Sequence, residues 1–345
     1  MVASSTQAGG SPGRGGRGTL WRRLGWTVLL TFLLVELGMR LAKGELLSYT
    51  SPDDRERYRT LDPVVGYVPR DGLTIRPRKG NFRISTGEHG TRSNGPAPAA
   101  ERPLTLVVGD SFAFGDDVDD HESWPAVLQR LAGRRVVNAA VPGFGLDQAV
   151  LRAIQLVPAY RPEVVVVSFI PHDVLRCEMS RWSGNPKPHF ELEGGALRYV
   201  PADVPVESAP WRVAKRVLSA SVTIDSLFLR GLHGVGPDIV AHHQGAEVAC
   251  ALMDRLATLG RESGARVVVL AQPQRPLSTP DERALKDRVL ACAARSGLLQ
   301  LDVFPAVDAV PEDARHRLFK GHMTAEGNRL VAAEVHAFVS RPPDP

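Results

Sequence analysis

Short, mostly apolar runs alternate with longer amphipathic stretches over the C-terminal two thirds of the chain. Five runs have the length and β-branched content of buried strands, at 104–109, 135–141, 163–170, 265–270 and 298–303. Apolar residues at helical spacing follow the strands, near 124–132, 146–158, 244–262, 281–296 and 325–339. Strands that alternate with helices predict a doubly wound α/β fold built on a parallel sheet.

A further apolar run near the N-terminus approaches the roughly 20 residues that span a bilayer. It follows a Gly-, Ser- and Arg-rich tail at 1–20, which predicts disorder. A cleaved signal peptide fits poorly because the sequence around Arg40 lacks small residues at a cleavage site, and a buried helix would not follow a basic tail. We interpret 21–43 as a signal-anchor helix that crosses the inner or plasma membrane once. Arginines on its N-terminal side place the rest of the chain outside the cytoplasm, in the periplasm.

Two charged residues interrupt this apolar run. Glu36 and Arg40 are four residues apart, a spacing at which a carboxylate and a guanidinium pair on the surface of a helix. We expect the pair to lie near the membrane surface, because charged side chains avoid the centre of the bilayer.

The regions outside the strand–helix repeat are rich in proline and glycine. Residues 46–103 predict an extended, β-rich lead-in that ends in a linker at 94–100. The main domain then occupies 104–340, and an irregular insertion at about 176–240 interrupts it, with a helix near 211–230. Because a long insertion at the carboxyl edge of a sheet often shapes a substrate pocket, we expect this one to do so.

Composition and charge narrow the classes of function. The 345-residue chain has a formal net charge of +4, part of it in the N-terminal tail, which argues against nucleic-acid binding. Its three cysteines are far apart, which argues against a zinc site or a disulfide framework, although one pair can still bridge. An acidic run lacks the spacing of a calcium-binding loop and is interpreted as a solvated turn; it consists of Asp116, Asp117, Asp119 and Asp120. We therefore predict no metal.

Residues capable of acyl-transfer chemistry follow four of the predicted strands. Ser111 comes two residues after the first strand, Gly143 follows the second and His172 the third, while His322 lies beyond the fifth. Because ligands bind beyond the carboxyl ends of parallel strands, we expect these residues to meet in one pocket. Ser111 would be the nucleophile and His322 its base. The backbone N–H groups of Ser111 and Gly143, with the His172 side chain, would form the oxyanion hole.

Four sequence blocks contain these residues. They read Gly109-Asp-Ser-Phe112, Asn138-Ala-Ala-Val-Pro-Gly143, Pro171-His-Asp173 and Gly321-His-Met-Thr-Ala-Glu-Gly327. By their order and spacing over about 104–340, the chain resembles the SGNH/GDSL hydrolase superfamily, and its lead-in is similar to that of bacterial membrane-anchored members. The resemblance implies a flavodoxin-like, three-layer α/β/α domain with sheet order 2-1-3-4-5, and hydrolysis or transfer of acyl esters without a cofactor.

The sequence departs from the pattern of this superfamily at two positions. His172 stands where the oxyanion asparagine is expected, and a neutral imidazole donates only one N–H. The acid that normally precedes the catalytic histidine by two or three residues is missing, because Phe319 and Lys320 occupy those positions. A Ser–His pair still works if another group orients the imidazole. The candidates are a backbone carbonyl or one of the carboxylates Asp302, Asp308, Asp313 and Glu326, while Asp110 and Asp173 are expected to support the site by hydrogen bonds.

These observations predict a membrane-anchored, extracytoplasmic serine esterase or lipase-like hydrolase that acts on acyl esters. Its expected partners are an acyl-ester small molecule, a lipid or an acylated glycan, and the membrane itself. One alternative is an O-acetyltransferase or acetylesterase acting on a cell-envelope polysaccharide. The other is a non-catalytic module that keeps the fold for binding, which the missing acid would favour.

Overall fold

The structure is a computed structural model in which several segments of the chain are described. They are 15–42, 58–76, 82–96, 98, 103–183, 185–203, 209–218, 220–229 and 238–341. The predicted disorder of residues 1–14 and part of the predicted linker at 94–100 lie outside them. The chain divides into two units, Met1–Asp53 with Glu207–His233, and Asp54–Val206 with Gly234–Pro345.

A five-stranded parallel sheet organises the larger unit. Its strands are β5 (Leu104–Val108), β6 (Arg135–Asn138), β7 (Val164–Phe169), β13 (Arg266–Ala271) and β14 (Leu299–Asp302). Their order across the sheet is β14-β13-β7-β5-β6, and every neighbouring pair is parallel. In the numbering of the five predicted strands this is 2-1-3-4-5, so the predicted sheet is confirmed.

Helices cover both faces of this sheet, because its strands are apolar on both faces. Every residue of β5 and β7 is buried. One face packs against α4 (Leu146–Tyr160), α8 (Gly245–Ser263) and α9 (Pro280–Arg295). The other packs against α3 (Trp124–Ala132) and α12 (Ala325–Val339). The predicted three-layer α/β/α arrangement is confirmed, and α3 and α12 have the bounds expected from the sequence.

The remaining described elements are short. The strands are β1 (Arg59–Asp62), β2 (Gly66–Pro69), β3 (Thr74–Ile75), β4 (Ile84–Ser85), β8 (Met179–Trp182), β9 (Asn185–Pro186), β10 (His189–Glu193), β11 (Ala196–Val200), β12 (Ile239–Val240), β15 (Phe319–Lys320) and β16 (His322–Met323). The helices are α1 (Gly15–Ala42), α2 (Ser111–Phe114), α5 (Pro171–Arg176), α6 (Ala209–Leu218), α7 (Val222–Ile224), α10 (Phe304–Asp308) and α11 (Glu312–Arg315). A π-helical turn spans Asp225–Leu229, and 3₁₀ turns span Glu88–Gly90 and His316–Leu318.

The lead-in is fastened to the α/β domain through a buried arginine. Arg92 is 2% exposed, and its backbone N–H donates to the carbonyl of Asn138 at 2.8 Å. Its guanidinium donates to the carbonyls of Phe114 at 2.8 Å, Gly115, and Val118 at 2.6 Å. Arg92 therefore holds the loop that follows the first strand of the sheet.

The predicted insertion at 176–240 does not form one structure. Residues of β8 to β11 belong to the unit that contains the sheet, whereas α6 and α7 belong with the N-terminal helix. The single helix predicted near 211–230 is instead α6, α7 and the π-helical turn after them. The composition of the segment did not reveal this division, because proline and glycine content does not specify which unit a segment packs against.

The N-terminal helix α1 begins at Gly15, so residues 15–20 are helical rather than disordered as expected. Within it, the 25 residues Gly18–Ala42 contain an 18-residue window with a mean hydropathy of 1.6, and the helix is long and apolar enough to cross a membrane. The expected pair is present, since Arg40 Nε lies 2.7 Å from Glu36 Oε1.

One pair of cysteines forms a bridge. A disulfide joins Cys250 of α8 to Cys292 of α9, across 42 residues of sequence, and Cys177 is a buried free thiol. The sequence left open whether one pair of cysteines forms a disulfide, and the structure contains one such disulfide.

Candidate functional site

The turn after the first strand presents Ser111 at the carboxyl edge of the sheet. Asp110 Oδ1 accepts the backbone N–H of Phe112 at 3.0 Å, which caps α2 so that the helix begins at Ser111. The turn is tight, because a Cβ on Gly109 would lie 2.8 Å from the carbonyl oxygen of Ser168 on β7. A side chain at this position would therefore push α2 away from the sheet.

The other end of the chain brings His322 to Ser111. The short antiparallel pair β15 and β16 turns at Gly321, which has a φ of +83°. The imidazole Nε2 lies 3.1 Å from Ser111 Oγ, and its ring packs against Phe112 at a centroid distance of 5.2 Å. The structure thus brings together the two residues that the sequence predicts as nucleophile and base.

Asp117 occupies the position of the acid that the sequence lacks beside its histidine. Its Oδ2 lies 3.0 Å from His322 Nδ1. The carboxylate comes from the loop after α2, six residues beyond Ser111, where Asp117 adopts a left-handed φ of +71°. Asp117 lies in an exposed turn, as interpreted from the sequence, and its carboxylate also contacts His322. The signal in the sequence for this contact is the acidic run directly behind Ser111.

The other members of the acidic run have different partners. Asp120 is 4% exposed, accepts the backbone N–H of Ser85 at 2.8 Å and lies 3.5 Å from the Arg92 guanidinium. Asp119 lies 3.3 Å from the ring of His121. Asp119 also accepts the backbone N–H of Arg83 at 3.4 Å, so Asp119 and Asp120 attach the loop after α2 to the lead-in.

Two of the carboxylates considered for orienting the histidine serve other parts of the fold. Asp302 accepts Lys286 Nζ at 2.6 Å and the backbone N–H of Phe304, the first residue of α10, at 2.9 Å. Asp308 forms a two-pronged ion pair with Arg283. These contacts place both carboxylates in the layer of α9 and α10, whereas the observed partner of His322 Nδ1 is Asp117.

Asp110 and Asp173 form a buried cluster around one guanidinium below Ser111. Arg176 Nη1 lies 2.6 Å from Asp173 Oδ1 and 3.8 Å from Asp110 Oδ2. Ser111 Oγ is 3.4 Å from Asp110 Oδ2, and Asp173 Oδ2 accepts the backbone N–H of Ile170 at 3.0 Å. Burial raises the pKa of both carboxyls, and the nearby Asp110 charge raises the pKa of Asp173 further. These hydrogen bonds connect both residues to the surroundings of Ser111, and their supporting role stays a prediction.

The glycine expected in the oxyanion hole lies beside Ser111 in the same cavity. Gly143 has a φ of +86°, and a Cβ there would lie 2.9 Å from the hydroxyl of Tyr67. That hydroxyl donates to the carbonyl of Pro142 at 3.2 Å. Both backbone conformation and space therefore require glycine at this position.

His172 is arranged differently from the expectation. Burial, followed by the neighbouring Arg176 charge, lowers its pKa to about 4, so the imidazole is neutral at pH 7. Its Nδ1 lies 3.3 Å from Arg176 Nη2 and accepts from that donor, which leaves the proton on Nε2. The ring edge contacts Trp182 at a centroid distance of 4.9 Å. Arg176 and Trp182 line the cavity at Ser111 and His172 is not among its lining residues, so a role in the oxyanion hole stays a prediction.

The cavity is small and polar. It has a volume of about 200 Å³ and is lined by Arg59, Tyr67, Ser111, Asp116, Pro142, Gly143, Arg176, Trp182, Ser183, Asn185 and His322. The lead-in and the first part of the insertion both contribute walls. The expectation that the insertion shapes the pocket therefore applies to its first part, among the residues that the structure describes.

Asp116 introduces a second carboxylate into this cavity. Burial raises its pKa to about 6, against the attraction of His322, Arg92 and Arg59. Its charge state consequently changes in the pH range in which many esterases are assayed, and ionisation near pH 7 opposes folding.

Replacing Asp116 with asparagine is expected to stabilise the protein at pH 7.5 by about 3 kcal/mol. The folded-state pKa of this carboxyl is raised, so the folded wild type binds the extra proton and loses stability as the pH rises from about 4 to about 6. The variant does not lose stability in this way, so the difference in free energy of unfolding between the two proteins should vanish near pH 4. Urea unfolding at both pH values measures it, with the exposed Asp313→Asn as control. A gap independent of pH would contradict the assignment.

Comparison with known proteins returns solved structures only. No family model and no curated protein matches the sequence. The chain is similar to a lipolytic protein of the G-D-S-L family from Desulfitobacterium hafniense DCB-2, with 16% identity and a TM-score of 0.39 over 68% of this chain and 99% of that one. It is similar to TesA, with 20% identity and a TM-score of 0.42 over 69% and 98% of the two chains. It is also similar to an acetylxylan esterase from Geobacillus stearothermophilus, with 15% identity and a TM-score of 0.41 over 71% and 97%.

Proposed function

We propose that this chain is an SGNH-type serine ester hydrolase whose reacting groups are Ser111, His322 and Asp117. One observation carries the proposal, the unbroken row of hydrogen-bonding distances from Ser111 Oγ to His322 Nε2 at 3.1 Å and from His322 Nδ1 to Asp117 Oδ2 at 3.0 Å. A nucleophile, a base and a group that orients the base are the parts that acyl transfer requires. This row argues against the alternative of a binding module without catalysis.

The reaction proceeds in two halves through an acyl-serine. His322 Nε2 takes the proton of the Ser111 hydroxyl as Oγ attacks the acyl carbon, and the resulting imidazolium gives that proton to the departing alcohol oxygen. Water then attacks the acyl carbon with the same base and releases the acid. Asp117 accepts a hydrogen bond from the Nδ1–H of His322 throughout, which keeps Nε2 free to act as the base and stabilises the imidazolium.

The oxyanion of each tetrahedral intermediate needs donors opposite the base. We assign the backbone N–H groups of Ser111 and Gly143, which both line the cavity. For the third donor, His172 is the candidate from the sequence. Arg176 is the alternative, because its guanidinium lines the same cavity.

The walls of the cavity favour a short acyl group on a polar alcohol. Among its described lining residues the side chains are charged, hydroxyl, amide or aromatic, with Pro142 as the exception. A long acyl chain needs an apolar groove to leave water, and this cavity of about 200 Å³ offers none. This observation favours the second candidate function, removal or transfer of acetyl groups on a cell-envelope polysaccharide, over a lipase.

We place the α/β domain outside the cytoplasm, anchored by α1. The helix has the length and composition of a membrane span, and arginines lie just before it and in its first turns. The disulfide between Cys250 and Cys292 supports this placement, because disulfides persist in oxidising compartments.

A fluorophosphonate probe should label Ser111 of the wild type and leave the Ser111→Ala variant unlabelled. The wild type should also hydrolyse p-nitrophenyl acetate and lose activity steeply as the acyl chain is lengthened to palmitate, whereas Ser111→Ala should show the background rate. Wild-type protein that is folded by circular dichroism and neither labelled nor active would overturn the proposal.

A further inference from the structure

The end of the N-terminal helix is bound to a remote stretch of chain through Glu36. Its two oxygens accept the hydroxyl of Ser221 at 2.8 Å and the backbone N–H groups of the next two residues, each at 2.9 Å. Arg40 completes the contact, because its Nε donates to the Glu36 carboxylate and its Nη2 donates to the carbonyl of Ala220, each at 2.7 Å. The pair that the sequence predicted therefore holds 220–223 against α1.

This contact meets a physical need of a membrane-spanning helix. Glu36 lies six residues, or about 9 Å, before the end of α1, within the apolar stretch. An ionised carboxylate removed from water there is strongly destabilised unless hydrogen-bond donors surround it. The first N–H groups of α7 are free to donate, because they have no partner inside their own helix. The segment 220–223 therefore lies at the depth of Glu36, at the boundary of the membrane.

The helix that immediately precedes this segment exposes apolar side chains. Val213 and Val217 of α6 are one helical turn apart and are 64% and 67% exposed, so the described part of the chain leaves both uncovered. By sequence, α6 is APWRVAKRVL, which contains three basic residues and no acidic one. A short basic helix with uncovered apolar residues is typical of helices that lie in the headgroup region of a bilayer.

We propose that α6 is a second membrane-binding element that lies in the interface of a bilayer containing anionic lipids. Val213 and Val217 would enter the acyl region, and the basic residues would attract the headgroups. The inference rests on the proposed passage of α1 through the membrane. Lipid is the occupant because Arg40 fixes the chain at Ala220 to the end of α1, two residues after α6 ends at Leu218.

The test uses the full chain reconstituted into vesicles of phosphatidylcholine and phosphatidylglycerol. A Val217→Cys variant carries an NBD fluorophore; the native cysteines do not compete, since Cys177 is buried and the other two are bridged. Lipids spin-labelled on their acyl chains should quench this fluorophore by at least half. The same label at Leu33→Cys reports on α1, and at Leu131→Cys, 49% exposed in the α/β domain, it should remain unquenched.

The three labels separate the possible failures. Quenching at Leu33→Cys without quenching at Val217→Cys would overturn the role of α6 and leave the anchor standing. An unquenched label at Leu33→Cys would overturn the anchor, and the role of α6 with it, without touching the proposed hydrolysis. In vesicles of phosphatidylcholine alone we expect weaker quenching at Val217→Cys; equal quenching would overturn the part assigned to anionic lipid.

Discussion

Replacing Asp117 with asparagine is expected to lower kcat for ester hydrolysis by about 10²–10⁴-fold. The variant keeps the shape of the side chain but its amide can present an N–H to His322 Nδ1, which favours the tautomer with its proton on Nε2. That tautomer cannot take the proton of Ser111. Steady-state kinetics on p-nitrophenyl acetate measure the effect, and fluorophosphonate labelling of Ser111 should slow in parallel.

Asp302→Asn is the matched control for this experiment. Asp302 is one of the carboxylates that the sequence offers for orienting His322, but in the structure it binds Lys286 and the first residue of α10. The kcat of this variant should stay within about threefold of the wild-type value, because the contacts of Asp302 are with Lys286 and Phe304 and not with His322. Loss of kcat in Asp302→Asn with retention in Asp117→Asn would reverse the assignment.

Replacing Arg92 with methionine is expected to lower the free energy of unfolding by about 3–5 kcal/mol. The change leaves the carboxylate of Asp120 buried without its guanidinium, and it removes the donors to three loop carbonyls. Urea unfolding at pH 7.5 measures the loss. Activity should fall as well, since the same loop carries Asp117.

Arg83→Met tests whether this loss comes from burial. Arg83 lies 3.5 Å from the same Asp120 carboxylate, but its side chain is 52% exposed. An exposed ion pair contributes at most about 1 kcal/mol, so this variant should unfold nearly as the wild type does. Equal losses in both variants would show that the contacts of Arg92 with the loop carbonyls contribute little.

The fold was largely predictable because local pattern and tertiary environment agree in the sheet. A strand such as Val164–Phe169 is apolar at most positions since both faces are covered, and that pattern is visible in the sequence. The bounds of the helix Trp124–Ala132 were predictable for the same reason, because Gly133 marks its C-terminal end in the sequence and caps it in the structure. Ser111 and His322 were predictable for a related reason: they follow strands whose ends meet at one edge of the sheet.

Asp117 was not predictable in the same way, because long-range contacts set its position. Its loop turns through a left-handed glycine at 115 and a left-handed aspartate at 117, and it is fastened by Arg92 from the lead-in. Only the three-dimensional contacts distinguish this carboxylate from its neighbours in the acidic run. The division of the insertion was missed for the same reason, since the contact that binds 220–223 is with Glu36, far away in sequence.

The position of Arg92 has a practical consequence for dissecting this protein into fragments. A soluble piece cut at the start of the recognisable hydrolase region, near residue 103, would contain Ser111, His322 and Asp117 yet lack the guanidinium that fixes their loop. Such a fragment would be inactive because it begins too late in the chain, and not because the protein lacks catalytic activity. A fragment for enzymology should therefore begin before β1, at or before Tyr58, so that the lead-in is retained with the domain it completes.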